Sequence, residues 1–535
     1  MHGSRFDGVL RFFLIGVLSL LLVVVGVIAA IGSWAWIVLL VILAGLVALG
    51  VYDLVQTKHS ILRNYPILGH MRFLMESLRP ELQQYFIERN FDGRPYDRNT
   101  RTVIYQQAKG TKEEHPFGTE RDLYQVGYEY LVHSTAPVKP MDAPPRVRIG
   151  GPDCTKPYDM ALLNVSAMSF GSLSANAIEA LNKGAAAGGF AHDTGEGAIS
   201  PYHRKGGGDL VWEVGSGYFG CRTDDGDFDP DEFSRKAADD QVKMVHLKLS
   251  QGAKPGIGGV LPGAKVTKEI AETRDVPQGQ TVISPAYHQV FSTPRELVRF
   301  MAHMRNLAGG KPTGFKLCVG SRRDVLAICK AMLEEQTYPD MITVDGAEGG
   351  TGAAPVEYSD HVGMPLTEGL AVVHNALVGV GLRDRIAIGA SGKVATGVDV
   401  VKRILQGADY LNAARAMMMA VGCIQAQECH TNTCPVGVAT QDPKRMRALD
   451  VASKSERVTS YQKHTVEQAM QVLASMGLSS FDELRPHMLR RRIGHGDIAS
   501  YDEIVEYLEP GALLENPPES WAADWVQADP DRFVP

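Results

Sequence analysis

The sequence predicts an α/β protein, a (β/α)8 barrel of parallel strands preceded by a two-helix transmembrane hairpin. Three observations predict it. No charged residue occurs between Phe12 and Tyr52. Beyond about residue 154, short apolar runs alternate with helical patterns, as in βαβ units. The residues after those runs are rich in glycine and polar groups, as at the carboxyl ends of barrel strands. An open doubly wound sheet is the alternative reading of the same alternation.

The composition agrees with this. The chain has 535 residues, 44% hydrophobic and 21% charged, with a formal net charge of −7. That is enough for one large domain with additions. No long basic run appears, which argues against nucleic acid as a partner. Seven cysteines in this length exclude a small disulfide-stapled scaffold.

The first element is the anchor, residues 1–55. It divides into two apolar spans, Phe12–Ile31 and Trp34–Tyr52, joined by Gly32-Ser33. At about 1.5 Å per residue, each can cross a hydrocarbon core of roughly 30 Å as a helix. Trp34 and Trp36 sit where interfacial aromatics belong. A cleaved signal peptide is the rival, but both spans exceed a typical apolar signal region and no small-residue cleavage pattern separates them. Arg5 and Arg11 precede the hairpin, Lys58, Arg63, Arg72 and Arg79 follow it, and the turn has no basic residue. Both ends are therefore expected in the cytoplasm, with the hairpin in the inner membrane. Residues 56–153 read as a connecting region of mixed helix and irregular structure, ending in a proline-rich lead-in.

The barrel is expected over residues 154–478, with a polar tail at 479–535. Its strands are read at 161–168, 188–194, 242–250, 280–286, 313–319, 340–347, 385–391 and 408–414, with helices at 174–187, 293–307, 322–335, 367–380 and 396–406. Glycine-rich loops follow several strands: "SFGSLS", "GEGAISP", "SQGAKPGIGG", "DGAEGGTGAAP" and "GASGKVATG". Glycine lets backbone N–H groups approach a ligand closely. Gly349-Gly350-Thr351-Gly352 and Ser391-Gly392-Lys393 can cradle a phosphate with help from a helix N-terminus. Lys316 lies inside the apolar run "GFKLCV", where a buried ammonium needs a function or a partner. The partners expected for it are Glu196 or Asp345. Asp345 and Glu348 are either acid–base groups or loop fixtures; Tyr287 and His288 end the fourth expected strand, His246 lies within the third, and each is either a chemical group or a structural one.

A cysteine cluster ends the barrel. "GCIQAQECHTNTCPVG" places Cys423, Cys429 and Cys434 in a C-x5-C-x4-C pattern followed by Pro435. Three soft ligands on one loop suit an iron–sulfur cluster of three-iron type, or a four-iron type with one open site. A zinc site with His430 and unliganded thiols remain as alternatives. Cys154, Cys221, Cys318 and Cys329 are scattered and read as core residues.

The strings "MSFGSLSANAIEALNKGAAAGG", "TGEGAISP", "KLSQGAKPGIGGVLPGAKV", "VDGAEGGTGAAP" and "GCIQAQECHTNTCPVGVATQ" resemble the FMN-binding synthase domain of glutamate synthases. The resemblance runs from about residue 164 to 478. It implies a barrel binding FMN and a three-iron (3Fe-4S) cluster, in an oxidoreductase that reductively aminates 2-oxoglutarate to glutamate through 2-iminoglutarate. By position, it places Met168, Ser169, Gly171 and Ser172 against the flavin, and Lys316 near flavin and substrate. It assigns Gly349, Gly350, Thr351, Gly352, Ser391, Gly392, Lys393 and Arg415 to the phosphate side. Gln251 and Lys254 line the substrate, and Cys423, Cys429 and Cys434 hold the cluster.

The chain begins Met-His rather than with the family's nucleophilic cysteine, and no G-x-G-x-x-G follows a strand. Ammonia is therefore expected from solution or a partner. Electrons are expected from an external donor, a ferredoxin or a reductase subunit. Turnover of another 2-oxo or amino acid, electron passage to a membrane quinone, and a non-catalytic redox sensor are the rival functions.

Overall fold

A computed structural model of the chain describes residues 4–32, 34–111 and 114–533, with side chains described from Phe12 onward. It separates into two compact units, Met1–Arg94 and Pro95–Pro535.

In the first unit, helix α1 (Ser4–Ile31) and helix α2 (Ala35–Val55) are apolar over 20 and 21 residues, long enough to cross a membrane. They return antiparallel. Gly26 of α1 faces Leu40, and Gly50 of α2 lies so close to Ile15 that a Cβ would sit 2.9 Å from its Cγ1. Ser33 of the expected turn and the side chains of Arg5 and Arg11 lie outside the described residues. Asp53, buried near the end of α2, accepts the Ile67 N–H at 2.9 Å and His70 Nε2 at 3.0 Å. His70 opens the next long helix, His70–Leu82, which buries none of its residues.

The second unit is built on a closed barrel of eight parallel strands. They are β1 (Leu163–Val165), β2 (His192–Asp193), β3 (Leu210–Val214), β4 (Val242–Lys248), β5 (Thr313–Leu317), β6 (Met341–Asp345), β7 (Ala387–Ser391) and β8 (Tyr410–Ala413). Leu411 in register with Leu163 closes the cylinder. Helices Ala175–Gly188, Pro294–Leu307, Arg322–Glu335, Leu366–Gly379 and Gly397–Leu405 lie within a residue or so of the expected spans. Their starts are dictated locally: Ser174, Thr293, Ser321 and Thr396 each accept a hydrogen bond from the first turn.

One strand differs from the expectation. Residues 280–286 are not in the barrel. Val282–Ile283 pairs antiparallel with Val260–Leu261 in a small ribbon outside it, where Ile283 is exposed. The missing strand is β3, "LVWEV". Glu213 within it gives it the look of a surface segment, and Gly206-Gly207-Gly208 before it reads as a loop. His246 is therefore on the fourth strand, and His288 is on no strand.

Strand positions alternate between two environments. Trp212, Val214, Val245, Leu247, Phe315, Leu317, Ile342, Val344 and Ile388 pack outward against the helices. Val211, Met244, Met341 and Tyr410 form an apolar floor inside, with Ile149 and Met160 of the antiparallel ribbon Arg146–Ile149/Tyr158–Ala161. Residues 95–153 and 479–533 brace this barrel. Helix Arg98–Lys109 packs on the long helix Val451–Ser475, and Glu129–Leu131 pairs with Leu489–Arg492.

Candidate active site at the carboxyl rim of the barrel

Above the floor, side chains from non-adjacent strands meet, which they can do only through the lumen. Lys316 of β5 pairs with Glu213 of β3. His246 Nδ1 of β4 lies 3.1 Å from Asp193 Oδ2 of β2. Ser166, just after β1, is 3.2 Å from Ser391 of β7. Asp193, Glu213 and His246 hold three ligand-type atoms within 4.8 Å of one another, and all are buried. The Lys316 ammonium already supplies positive charge to that group. Burial alone would push Lys316 down, but Glu213, Asp193 and Asp345 more than reverse this and hold it above the usual lysine value. The expected partners Glu196 and Asp345 are engaged elsewhere: Glu196 with Lys248 at 2.8 Å, and Asp345 with the Gly252 N–H at 2.8 Å.

Lys254 donates to the Ala353 carbonyl at 2.9 Å, tying the loop after β4 to the loop after β6. Burial, with the like charge of Lys248, lowers it to about 8. Beside it, Gln251 Nε2 is a buried donor with no partner among the described residues, and so is the acceptor Asn412 Oδ1 at the end of β8. A buried orphan donor at a strand end is what a ligand would satisfy. Gly252 lies against the carbonyl of Gly346, where a Cβ would clash at 1.8 Å. Asp345 and Glu348 act as loop fixtures, the latter accepting the Leu366 N–H at 2.9 Å. Arg415 donates to the Glu348 carbonyl and lies against Gly350. Gly392 (φ 153°) and Lys393 (φ 50°) both turn back at the rim after β7.

The loop after β1 is held from behind by three donors. Arg274 donates to Ser169 Oγ at 3.2 Å and to the Phe170 carbonyl at 2.9 Å. Gln441 donates to the carbonyls of Gly171 and Leu173 at 3.1 and 2.8 Å. Lys265 donates to the Ser172 carbonyl at 2.8 Å. Arg274 is lowered to about 10 and Lys265 to about 8, both by burial.

The three cysteines lie on the far side of Lys265, whose ammonium feels the charges of Cys429 and Cys434. Cys423 in turn feels both of the others. Burial pushes the Cys423 thiol up to about 12 and raises Cys429. Among the described residues, the three sulfurs are not all gathered within 4.8 Å of one another. The Gln425 N–H points at Cys423 Sγ at 3.4 Å. Gln425 and Tyr96 exchange reciprocal hydrogen bonds, and Tyr105 donates to the Cys423 carbonyl, so residues 95–109 clamp this loop. Among the described residues, no close group of metal-ligand atoms includes His430.

The rim thus brings together Gln251, Lys254, Lys316, the loops at 168–172, 349–352 and 391–393, and Arg415, with the cysteines behind. Glu213, Lys248, Arg274, Lys265 and Gln441 were not singled out from the sequence. A cation between apolar neighbours, as in "GAKV", is the signal that would have found Lys265. His288 is buried against Tyr218 and the Lys248 carbonyl and lowered by burial to about 4, so it serves the structure. Tyr287 is exposed.

Residues 137–479 match the conserved region in glutamate synthase. The chain belongs to the glutamate synthase family. It is 37% identical over 530 residues to the glutamate synthase large subunit-like protein YerD of Bacillus subtilis, covering 91% of this chain and 98% of that one. It is 34% identical over 333 residues to the archaeal glutamate synthase [NADPH] of Methanocaldococcus jannaschii, covering 61% of each. The large chain of Bacillus subtilis glutamate synthase [NADPH] matches at 34% over 324 residues, 59% of this chain and 20% of that one. The chain therefore spans about three-fifths of the archaeal-type relative and one-fifth of the large chain. Membership in the glutamate synthase family places it among oxidoreductases that act on CH–NH2 donors.

Proposed function

We propose that the protein is a membrane-anchored FMN and iron–sulfur oxidoreductase that reductively aminates 2-oxoglutarate to glutamate. The observation that carries this reading is the rim itself. A buried ammonium, an orphan amide donor and three glycine-bearing loops converge there, and the loop after β1 is tied through Lys265 to a three-cysteine loop. In this reading the anchor occupies residues 1–55 and the flavin barrel 154–478, with 56–153 and 479–535 as bracing segments.

The residues present fit the two groups. The close loop approach at Gly252 and the guanidinium of Arg415 beside Gly350 suit a phosphorylated planar ligand, and the orphan donor Gln251 Nε2, beside Lys254, suits a substrate carboxylate. Gly349, Gly350, Thr351, Gly352, Ser391, Gly392, Lys393 and Arg415 would hold its phosphate side, and Met168, Ser169, Gly171 and Ser172 its ring. Cys423, Cys429 and Cys434 would hold a three-iron cluster. FMN held at the rim would supply hydride-transfer chemistry, and a cluster on the three cysteines would supply one-electron chemistry with an external donor such as a ferredoxin or reductase subunit.

The chain's own residues do the rest. Lys254 and the Gln251 amide orient the carboxylates of the 2-oxo acid. Ammonia, from solution or a partner, condenses at C2 with loss of water to give 2-iminoglutarate. Lys316, kept cationic by Glu213 and Asp193, stabilises negative charge that develops beside it while C2 is reduced. Basic residues on both flanks of the hairpin, and none in its turn, support a reading in which both ends and the catalytic unit are cytoplasmic and the helices lie in the inner membrane.

Anaerobically purified protein should show flavin absorption bands and a low-temperature electron paramagnetic resonance signal, and should form glutamate from 2-oxoglutarate and ammonia when reduced. A colourless, iron-free protein that does not take up FMN would overturn the reading. The hairpin favours a second one, in which the same cofactors pass electrons to a membrane quinone. Quinone-dependent reoxidation of the reduced protein without 2-oxoglutarate turnover would select it.

A further inference from the structure

The helix His70–Leu82 carries an apolar face that no described residue of its own unit covers. Met71, Leu74, Met75, Leu78 and Leu82 recur at the helical repeat and form one stripe about 100° wide. Each is between 42% and 58% exposed. The stripe runs on into Tyr85, Phe86 and Ile87, of which Phe86 is 82% exposed. Arg72 and Arg79 border it on one edge, Glu81 on the other, and Glu76 lies beyond the arginines. An apolar face of this length open to water is unfavourable, so it has an occupant.

The helix is also fixed in place. The buried carboxylate of Asp53, two residues before the end of α2, accepts both the Ile67 N–H and His70 Nε2. This binds the first turn of the amphipathic helix to the end of the second apolar span. His70 lies about a quarter-turn from the stripe, so the tether leaves the stripe open.

We infer that residues 70–87 form an interfacial helix that lies in the lipid headgroup region with the Met71–Leu82 stripe in the acyl boundary. This rests on the hairpin spanning a bilayer, as proposed above. Three features select lipid over a second copy of the chain. The stripe begins where the apolar surface of the hairpin ends, and the Asp53–His70 link holds it at the level where a span leaves the hydrocarbon. Arg72 and Arg79 flank the stripe where long basic side chains can reach anionic headgroups. No residue of the helix is fully buried, and beyond the Phe73 ring against His59 and the His70–Asp53 link its stripe gains packing from an external apolar phase.

The test uses the full chain in liposomes of phosphatidylethanolamine and phosphatidylglycerol, with the photo-crosslinking residue p-benzoylphenylalanine placed singly at position 78, 76 or 21. Irradiation at position 78 should give phospholipid adducts, read as mass shifts, severalfold more abundant than at position 76. Position 21, within α1, reports the hairpin. Lipid adducts at 21 but none at 78 overturn the interfacial helix and leave the anchor standing. No lipid adduct at either position removes both. A crosslinked dimer, or a crosslink within the chain, as the main product at position 78 also overturns the proposal, because the stripe then has a protein occupant. A second variant, Asp53→Asn, should lower the adduct yield at 78 relative to 21, and an unchanged ratio would show that the tether does not set the helix position.

Discussion

Lys265 donates its ammonium to the Ser172 carbonyl at 2.8 Å and lies within the electrostatic reach of Cys429 and Cys434, so one buried side chain joins the loop after β1 to the cysteine loop. Replacing it with methionine keeps most of the volume and removes the charge-assisted hydrogen bond, which contributes about 1.5–3 kcal/mol. The Lys265→Met variant should retain bound iron and flavin but show slowed electron transfer between them in stopped-flow absorption, and a lowered cluster midpoint potential, because a nearby positive charge is lost. Lys265→Arg should recover part of the potential. An unchanged potential in Lys265→Met would mean that the lysine only packs the loop.

Glu213 and Lys316 form the central ion pair of the lumen, and removing one partner strands the other. Glu213→Gln should destabilise the barrel by about 3–5 kcal/mol, seen as a lower thermal midpoint in detergent. Glu213→Gln/Lys316→Met should recover most of that loss. The pH dependence has a definite sign. A lysine whose folded value lies above its unfolded value contributes stability that is fully present below the unfolded value of about 10.4 and is lost as pH rises beyond it. The gap between wild type and Glu213→Gln should therefore be widest at neutral pH and should narrow above about pH 10.

Much of this site was legible because its loops are local. The glycine-bearing segments at 168–172, 349–352 and 391–393 each follow a strand in the sequence and stand at the rim in the fold. Seven of the eight expected strand spans contain a barrel strand, and five helices lie where hydrophobic period places them. What escaped was contact between distant segments. Arg274 reaches Ser169 and Gln441 reaches Gly171 only after the barrel closes, and no local pattern marks them. Strand β3 escaped for an electrostatic reason. Glu213 interrupts its apolar run, and that charge is tolerable inside only because Lys316, two strands away, neutralises it. The apolar segment 280–286 has strand-forming residues but is excluded from the barrel, with Pro285 at its end and Ile283 facing solvent.

Lys254 gives the proposed substrate site its own pH limit. Burial lowers it to about 8, so the ammonium that would bind a carboxylate loses its proton within the working range. The KM for 2-oxoglutarate should rise above pH 8, while kcat at saturation changes less. Lys254→Arg keeps the charge at all these pH values and should flatten the rise. A KM independent of pH between 7 and about 9.5 in the wild type would remove Lys254 from the binding role.

In the proposed function the three cysteines hold a cluster that can be removed without the flavin. Cys429 is half-buried and the loop around it is clamped by Tyr96, Tyr105 and Gln425 at its start, not by Cys429 itself. Serine is nearly the same size and a poor iron ligand, so Cys429→Ser should leave the fold in place. The variant should keep its flavin absorption and lose the iron content and the low-temperature paramagnetic signal. Chemically reduced flavin should still be reoxidised by the 2-oxo acid and ammonia, because that step takes place at the rim. Reduction by an external one-electron donor should fall by at least an order of magnitude, since the entry route is gone. If Cys429→Ser retains full iron content, the three-cysteine assignment is wrong and the thiols have another purpose.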